Sequence, residues 1–284
     1  MKHDADYYES RYNPRLADPK HAAHVERWIS KSVAARAQMT GHLDIPYGDR
    51  ARQETLDLFR AEGQSRALLM FIHGGYWRAR DKSEQSFVAL PYVKAGITVA
   101  MINYALCPAV KVEDIVLQVL QAGAWLYRNG NNFGAPVGSL YVAGHSAGGH
   151  LTAMTLAAQW PKFAADLPPN IVKGALSVSG IYDVEPIMHS PSINADVRFD
   201  AKQVKKVSPL FMPPAGDAPF YTAVGGQEQE GFHEQNRWIR EKWAKVVRDD
   251  IPCPDDNHFT ILDRFGDSSS ALCKGALKMM RVGR

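Results

Sequence analysis

Cysteine is scarce: the 284 residues contain three (Cys107, Cys253, Cys273), and no two form a C-x-x-C pair. An odd set without paired spacing excludes a disulfide-stapled scaffold and fits a reducing compartment. Long apolar runs are also missing. The longest, such as residues 67–72, are strand-sized and far short of the ~20 residues that cross a bilayer. The opening stretch MKHDADYYESRYNPRLADP has no apolar segment able to serve as a signal-peptide core. The expectation is a soluble, cytoplasmic chain with no membrane partner. Charge of one sign is lacking too, since 33 basic against 30 acidic residues leave a net +3. That balance gives no footprint for a nucleic-acid partner. Internal repeats and low-complexity tracts are absent. What remains is an ordinary globular composition, 45% hydrophobic and 22% charged, which excludes a disordered chain and can fill a large core.

The apolar runs set the expected architecture. Residues 67–72, 97–102, 139–143, 171–178 and 219–224 are nearly continuous apolar segments, each stopping at small or Gly-rich residues. Such runs read as strands buried on both faces, the habit of parallel sheets. Residues 113–127 carry apolar side chains close to a 3.6 period, and 147–159 and 233–247 are further helix candidates. Alternating strand and helix predicts an α/β fold: a mostly parallel, twisted central sheet with helices on both faces, and a site at the carboxyl ends of the strands. One domain is expected over 1–284, with a helical N-terminal extension over about 1–41. Residues 163–170 and 186–216, rich in Pro, Ser and Asp, read as loops or short helices, the second as a cap or lid insertion.

One stretch carries chemistry. Gly144-His145-Ser146-Ala147-Gly148 is a G-x-S-x-G pattern, preceded by an apolar strand and followed by an Ala-rich helix. Strand, sharp turn and helix make a nucleophile elbow: Ser146 stands on a strained turn that presents its hydroxyl, and bulky neighbours two residues away would clash. The helix aims its first amides at the site, so the N–H of Ala147 can stabilise an oxyanion. Phosphate-binding patterns do not fit these residues. A second oxyanion donor in hydrolases of this kind comes from a His-Gly-Gly turn after an earlier strand, here His73-Gly74-Gly75-Tyr76-Trp77. The amides of Gly75 and Tyr76 are the candidates. His73 reads as a loop-orienting residue, while Tyr76 and Trp77 are either core aromatics or the wall of a substrate pocket.

A serine nucleophile needs a base, and the base an orienting acid, in the chain order Ser, Asp/Glu, His. Glu228 follows the run 219–224, where the acid belongs; Glu230 is its nearest rival and Asp183, one strand early, a third candidate. His258, in the polar turn Asp256-Asn257-His258-Phe259, is the candidate base. His233 falls at a helix start, and His145 and His150 belong to the packing of the elbow itself. The five-residue spacing of His145 and His150 does not place them on one helical face, nothing completes a site around His21 and His24, and H-E-x-x-H is absent. No metal and no cofactor is expected.

These residues resemble a known family. His73-Gly-Gly-Tyr-Trp77 is similar to the HGGxW motif of kynurenine formamidase-like (arylformamidase) α/β-hydrolases, and the Ser146 elbow to theirs. Stretches at 43–48, 56–59, 103–108, 180–186 and 224–226, and His258-Phe259, also match, so the resemblance runs from about Tyr12 to near the end of the chain. It implies an α/β-hydrolase fold with Ser146 as nucleophile, Glu228 as acid and His258 as base. Many members carry Asp at the acid position, so Glu228 is a longer variant. The implied reaction removes a formyl group from an aryl amide, N-formylkynurenine being the family's named substrate, in tryptophan catabolism. The resemblance also suggests a homodimer. The same residues serve a short-chain carboxylesterase. An acyltransferase would need a pocket that excludes water, and a non-catalytic binding protein would be expected to have lost the serine, the histidine or the elbow glycines.

Overall fold

A computed structural model describes residues 3–50 and 52–282; residues 1, 2, 51, 283 and 284 lie outside the described residues, so the extension expected over 1–41 is described from residue 3. The apolar runs become the middle of a sheet. Its strands are β1 (Gly41–Pro46), β2 (Thr55–Phe59), β3 (Ala67–Ile72), β4 (Ile97–Ile102), β5 (Leu140–His145), β6 (Val172–Val178), β7 (Phe220–Ala223) and β8 (Val247–Asp250). They lie in the order β1-β2-β4-β3-β5-β6-β7-β8. β2 is antiparallel to β1 and β4, and every later pairing is parallel.

The alternation of strand side chains divides the core in two. Leu68, Met70 and Ile72 of β3 face one apolar layer, shared with the helices Val112–Asn129 and Ala147–Ala157. Ala67, Leu69 and Phe71 face the other, shared with the helices His21–Arg36, Leu90–Lys94 and Ala271–Met279. Covered on both faces, these strands had no reason to alternate polar with apolar residues, which is why they read as continuous runs.

The edges are different. β8 is Val247-Arg248-Asp249-Asp250 and has one neighbour, β7. Its charges are used locally: Asp250 accepts from Thr222 Oγ1 (2.7 Å) and Asn236 Nδ2 (3.0 Å) and pairs with Arg240 (2.8 Å). A charged edge discourages pairing with another chain. The helix expected over 233–247 is Glu230–Lys242 instead. It stops because Trp243 turns inward to donate to the Met212 carbonyl (2.8 Å) and Val246 accepts from the Phe220 amide (2.9 Å), so Val247 opens β8.

Two peripheral segments meet over the carboxyl ends of the strands. The N-terminal one forms the helices Ala5–Tyr12 and Pro14–Ala17 before His21–Arg36. The other forms Glu185–Met188, Pro191–Val197, Ala201–Val207 and a 3-10 turn Pro209–Phe211. The Glu9 carboxylate joins them, accepting from the Ser190 hydroxyl (2.8 Å) and from the amide and hydroxyl of Ser192 (both 2.7 Å). Among the described residues no helix is long and apolar enough to cross a membrane.

Candidate active site

Ser146 sits between β5 and the helix Ala147–Ala157 with φ 58° and ψ −119°, a conformation that L residues rarely adopt. Its amide is anchored on the Val178 carbonyl of the neighbouring β6 (2.8 Å), which holds the turn in place. The flanking glycines are required by space: a Cβ at Gly144 would lie 2.3 Å from the Gly148 carbonyl oxygen, and one at Gly148 would lie 2.0 Å from that of Ile72.

Next to the serine, His258 Nε2 lies 3.0 Å from Ser146 Oγ, and His258 Nδ1 lies 2.6 Å from Glu228 Oε2. A carboxylate at Nδ1 selects the tautomer with its proton there, leaving Nε2 to accept from the serine hydroxyl. All three residues are buried. A buried carboxylate needs further donors, and Glu228 Oε1 has two: the Ser179 hydroxyl (2.5 Å) and the Gly225 amide (2.7 Å). Ser179 went unnoticed in the sequence; the one signal was a small polar residue directly after an apolar strand.

The loops carrying Glu228 and His258 are stitched together beyond the ends of β7 and β8. Gly226 N donates to the Cys253 carbonyl (2.8 Å) and Gln227 N to that of Asp256 (3.0 Å). Asn257 then fixes the turn around His258, its Oδ1 accepting from the amides of Phe259 and Thr260 (both 2.9 Å), while its Nδ2 donates to Asp18 in the N-terminal segment (2.9 Å). The rival acids are elsewhere. Glu230 is exposed in the first turn of its helix, and Asp183 accepts from the Glu185 amide (2.9 Å). Neither is hydrogen-bonded to His258.

The His73 turn closes the site from β3. Gly75, Tyr76 and Trp77 have φ of 111°, 50° and 55°, curling the chain back toward the elbow. At Gly75 a Cβ would meet the Ala79 carbonyl at 2.2 Å. The amides of Gly75, Tyr76 and Ala147 enter no turn or loop hydrogen bond among the described residues. Gly74, Gly75 and Tyr76 line the cleft above Ser146 and His258.

Trp77 corrects an expectation: it is fully buried behind the cleft and is not part of its wall. Its ring packs on His150 and Phe199, and its Nε1 donates to His150 Nδ1 (3.2 Å). His150 Nε2 in turn donates to the Val207 carbonyl (2.6 Å). One neutral imidazole thus joins the turn, the elbow helix and the segment around 207. Burial pushes the pKa of His150 down to about 4, and that of His73 also to about 4. His73 Nδ1 donates to the Gly74 carbonyl (2.8 Å) while its ring stacks on Tyr104. Burial likewise holds His145 well below the usual imidazole range, with the neighbouring His258 adding to the shift. Tyr76 does line the cleft, with its hydroxyl donating to the Tyr12 carbonyl.

The rest of the cleft comes from places no motif marks. Asn13, Pro14 and Arg15 reach it from the N-terminal segment, Trp28 from the helix His21–Arg36, and Arg78, Arg80 and Gln85 from beyond the His73 turn. Its volume is about 50 Å³. Among the described residues no group of three or more His, Cys, Asp and Glu side chains is arranged to hold a metal ion.

A serine on a strained elbow, with a carboxylate-backed imidazole at the carboxyl ends of a sheet of this order, marks the α/β-hydrolase fold. The chain belongs to the BD-FAE family of these hydrolases, whose model matches residues 56–236. It is 30% identical over 289 residues to the kynurenine formamidase of Danio rerio, covering 98% of this chain and 95% of that one. It is 27% identical to the kynurenine formamidase of Drosophila melanogaster, covering 86% and 84%. Among solved structures, a thioesterase candidate from Silicibacter sp. TM1040 superposes with a TM-score of 0.82 at 30% identity, covering 93% of this chain and 96% of that one. Esterase B of Lactobacillus rhamnosis, at a TM-score of 0.66 and 16% identity over 91% and 95% of the two chains, shares the fold.

Proposed function

We propose that this hydrolase removes a formyl group from an aryl amide of the N-formylkynurenine type, with Ser146 as nucleophile, His258 as general base and acid, and Glu228 as the orienting carboxylate. The observation that carries the reading is the unbroken line from Ser146 Oγ through the imidazole (3.0 Å and 2.6 Å) to Glu228. Formanilide chemistry is favoured over ester chemistry by coverage. The relative from Danio rerio named as a kynurenine formamidase aligns over 98% of the chain at 30% identity, whereas the probable carboxylic ester hydrolase LipM of Mycobacterium tuberculosis aligns over 74% at 26% and Esterase LipC over 49%.

The steps follow from the positions. His258 Nε2 takes the Ser146 proton as Oγ bonds to the formyl carbon, and the carbonyl π pair moves onto oxygen. The amides of Gly75, Tyr76 and Ala147 receive that oxyanion; one such donor is typically worth ~2.7–4 kcal/mol. Glu228 stabilises the imidazolium. When the tetrahedral centre collapses, the C–N bond breaks and His258 returns its proton to the departing aniline nitrogen. Water, deprotonated by His258 Nε2, then attacks the formyl-serine; the C–Oγ bond breaks, His258 returns the proton to Ser146 Oγ, and formate leaves. The N-terminal segment covers this chemistry with Asn13, Pro14 and Arg15, and the helices between 185 and 211 brace that segment through Glu9.

The test is kcat/KM for N-formylkynurenine beside p-nitrophenyl acetate, with Ser146→Ala as blank. Preference for the formanilide supports the reading. Ester cleavage without formanilide turnover would replace it with a short-chain carboxylesterase.

A further inference from the structure

The cleft holds polar groups that the proposed chemistry does not use. Trp28 and Gln85 are almost fully buried, yet Trp28 Nε1 and Gln85 Oε1 have no hydrogen-bond partner. Both residues line the cleft. Native proteins rarely leave a buried donor and a buried acceptor unused without a reason. Arg15, Arg78 and Arg80 line the same cleft. Arg78 is paired with Asp196 (2.7 Å) and Arg80 with Glu84 (3.2 Å), whereas Arg15, exposed at the mouth of the cleft, has no ion-pair partner among the described residues. Its backbone is nevertheless fixed, because Arg15 N donates to Asn13 Oδ1 (3.2 Å). Partial burial, and after it the Arg78 and Arg80 guanidiniums, lower its pKa.

We propose that Arg15, Trp28 and Gln85 form a subsite for a leaving group that carries a carboxylate and, beside it, an N–H donor. The guanidinium and the indole N–H donate to the carboxylate, and the Gln85 oxygen accepts from the N–H. The side of the site is set by proton transfer: the departing nitrogen must face His258, and the Trp28 ring lies 6.1 Å from that of Phe259, the next residue. The acyl group lies opposite, toward the Gly74–Gly75 turn. Bidentate and charge-assisted contacts of this kind favour Arg over a neutral donor. The assignment rests on Ser146 and His258 being the reacting pair, but not on the formyl group as substrate.

The test therefore uses an ester reporter. Inhibition of p-nitrophenyl acetate turnover is measured with L-kynurenine and with its carboxamide, which lacks the negative charge at that position. The wild type should bind the carboxylate about 10- to 100-fold more tightly than the amide, the range of a charge-assisted contact. Added salt should narrow that ratio. In Arg15→Gln the ratio should fall toward one, and Arg15→Lys should keep part of it. Trp28→Phe should lower it as well, with thermal denaturation confirming the fold. Equal binding of acid and amide by the wild type, or an unchanged ratio in Arg15→Gln, would overturn the subsite. Reporter turnover that persists in Ser146→Ala would instead overturn the reaction on which it rests.

Discussion

The Ser179 hydroxyl donates to Glu228 Oε1 (2.5 Å), on the carboxylate oxygen that does not meet His258. Ser179 is itself in a left-handed conformation (φ 52°), with its amide on the Ala223 carbonyl (2.8 Å), so its direction is set by β6 and β7. In the proposed triad the longer glutamate is thus steadied by a donor on the oxygen that does not meet the imidazole. Ser179→Ala leaves the Gly225 amide alone on that oxygen. Turnover should drop about 10- to 100-fold, in line with the ~1.5–3 kcal/mol typical of a hydrogen bond to a charged group. Steady-state kinetics at pH 7.5 checks this, and wild-type turnover would show that the Gly225 amide suffices.

The choice of acid has a sharper test. Glu228→Gln keeps the shape but offers His258 either an amide oxygen or an amide NH₂, and loses the charge that stabilises the imidazolium. A fall of about 10³- to 10⁴-fold in kcat is expected, by analogy with acid-to-amide changes in serine triads. Glu230→Gln, at an exposed position, should stay within about two-fold. The reverse order would move the acid to Glu230.

The elbow stores strain, and two substitutions separate strain from chemistry. Ser146→Ala and Ser146→Gly should both abolish turnover. Glycine relieves a positive φ that alanine cannot, so Ser146→Gly should be the more stable of the two by about 1 kcal/mol. Urea unfolding of the pair measures the difference. Equal midpoints would mean that the φ of 58° costs nothing.

Stability should fall on acidification in a definite window. His150 is held neutral by burial, its pKa lowered to about 4 from an unfolded value of 6.5. A lowered folded pKa means that the unfolded chain binds the proton first. The contribution is complete above pH 6.5 and is lost as the pH falls toward 4, roughly 3 kcal/mol at full extent. Urea midpoints at pH 7.5 and 5 should therefore differ more in the wild type than in His150→Gln. A matching loss in both would assign the acid sensitivity to other groups, His73 first among them.

Much of this molecule was written in local sequence. Buried parallel strands must be apolar on both sides, so β3 and β4 were legible to the residue. The elbow tolerates only small residues around Ser146, and that sterics produces a recognisable pattern. Chain order pointed to Glu228 and His258 because the strands deliver their ends in sequence. Other features have no local signature. That Glu228, not Glu230, meets the imidazole depends on how the loops after β7 and β8 lace together. Trp77 looked equally suited to core and pocket until His150 claimed its indole N–H. Arg15 and Trp28 line the cleft only because a long N-terminal segment folds back over the sheet, and there they meet Gln85 from the segment after β3. Composition and periodicity report which side chains must avoid water, whereas packing between distant segments decides which polar groups meet one another.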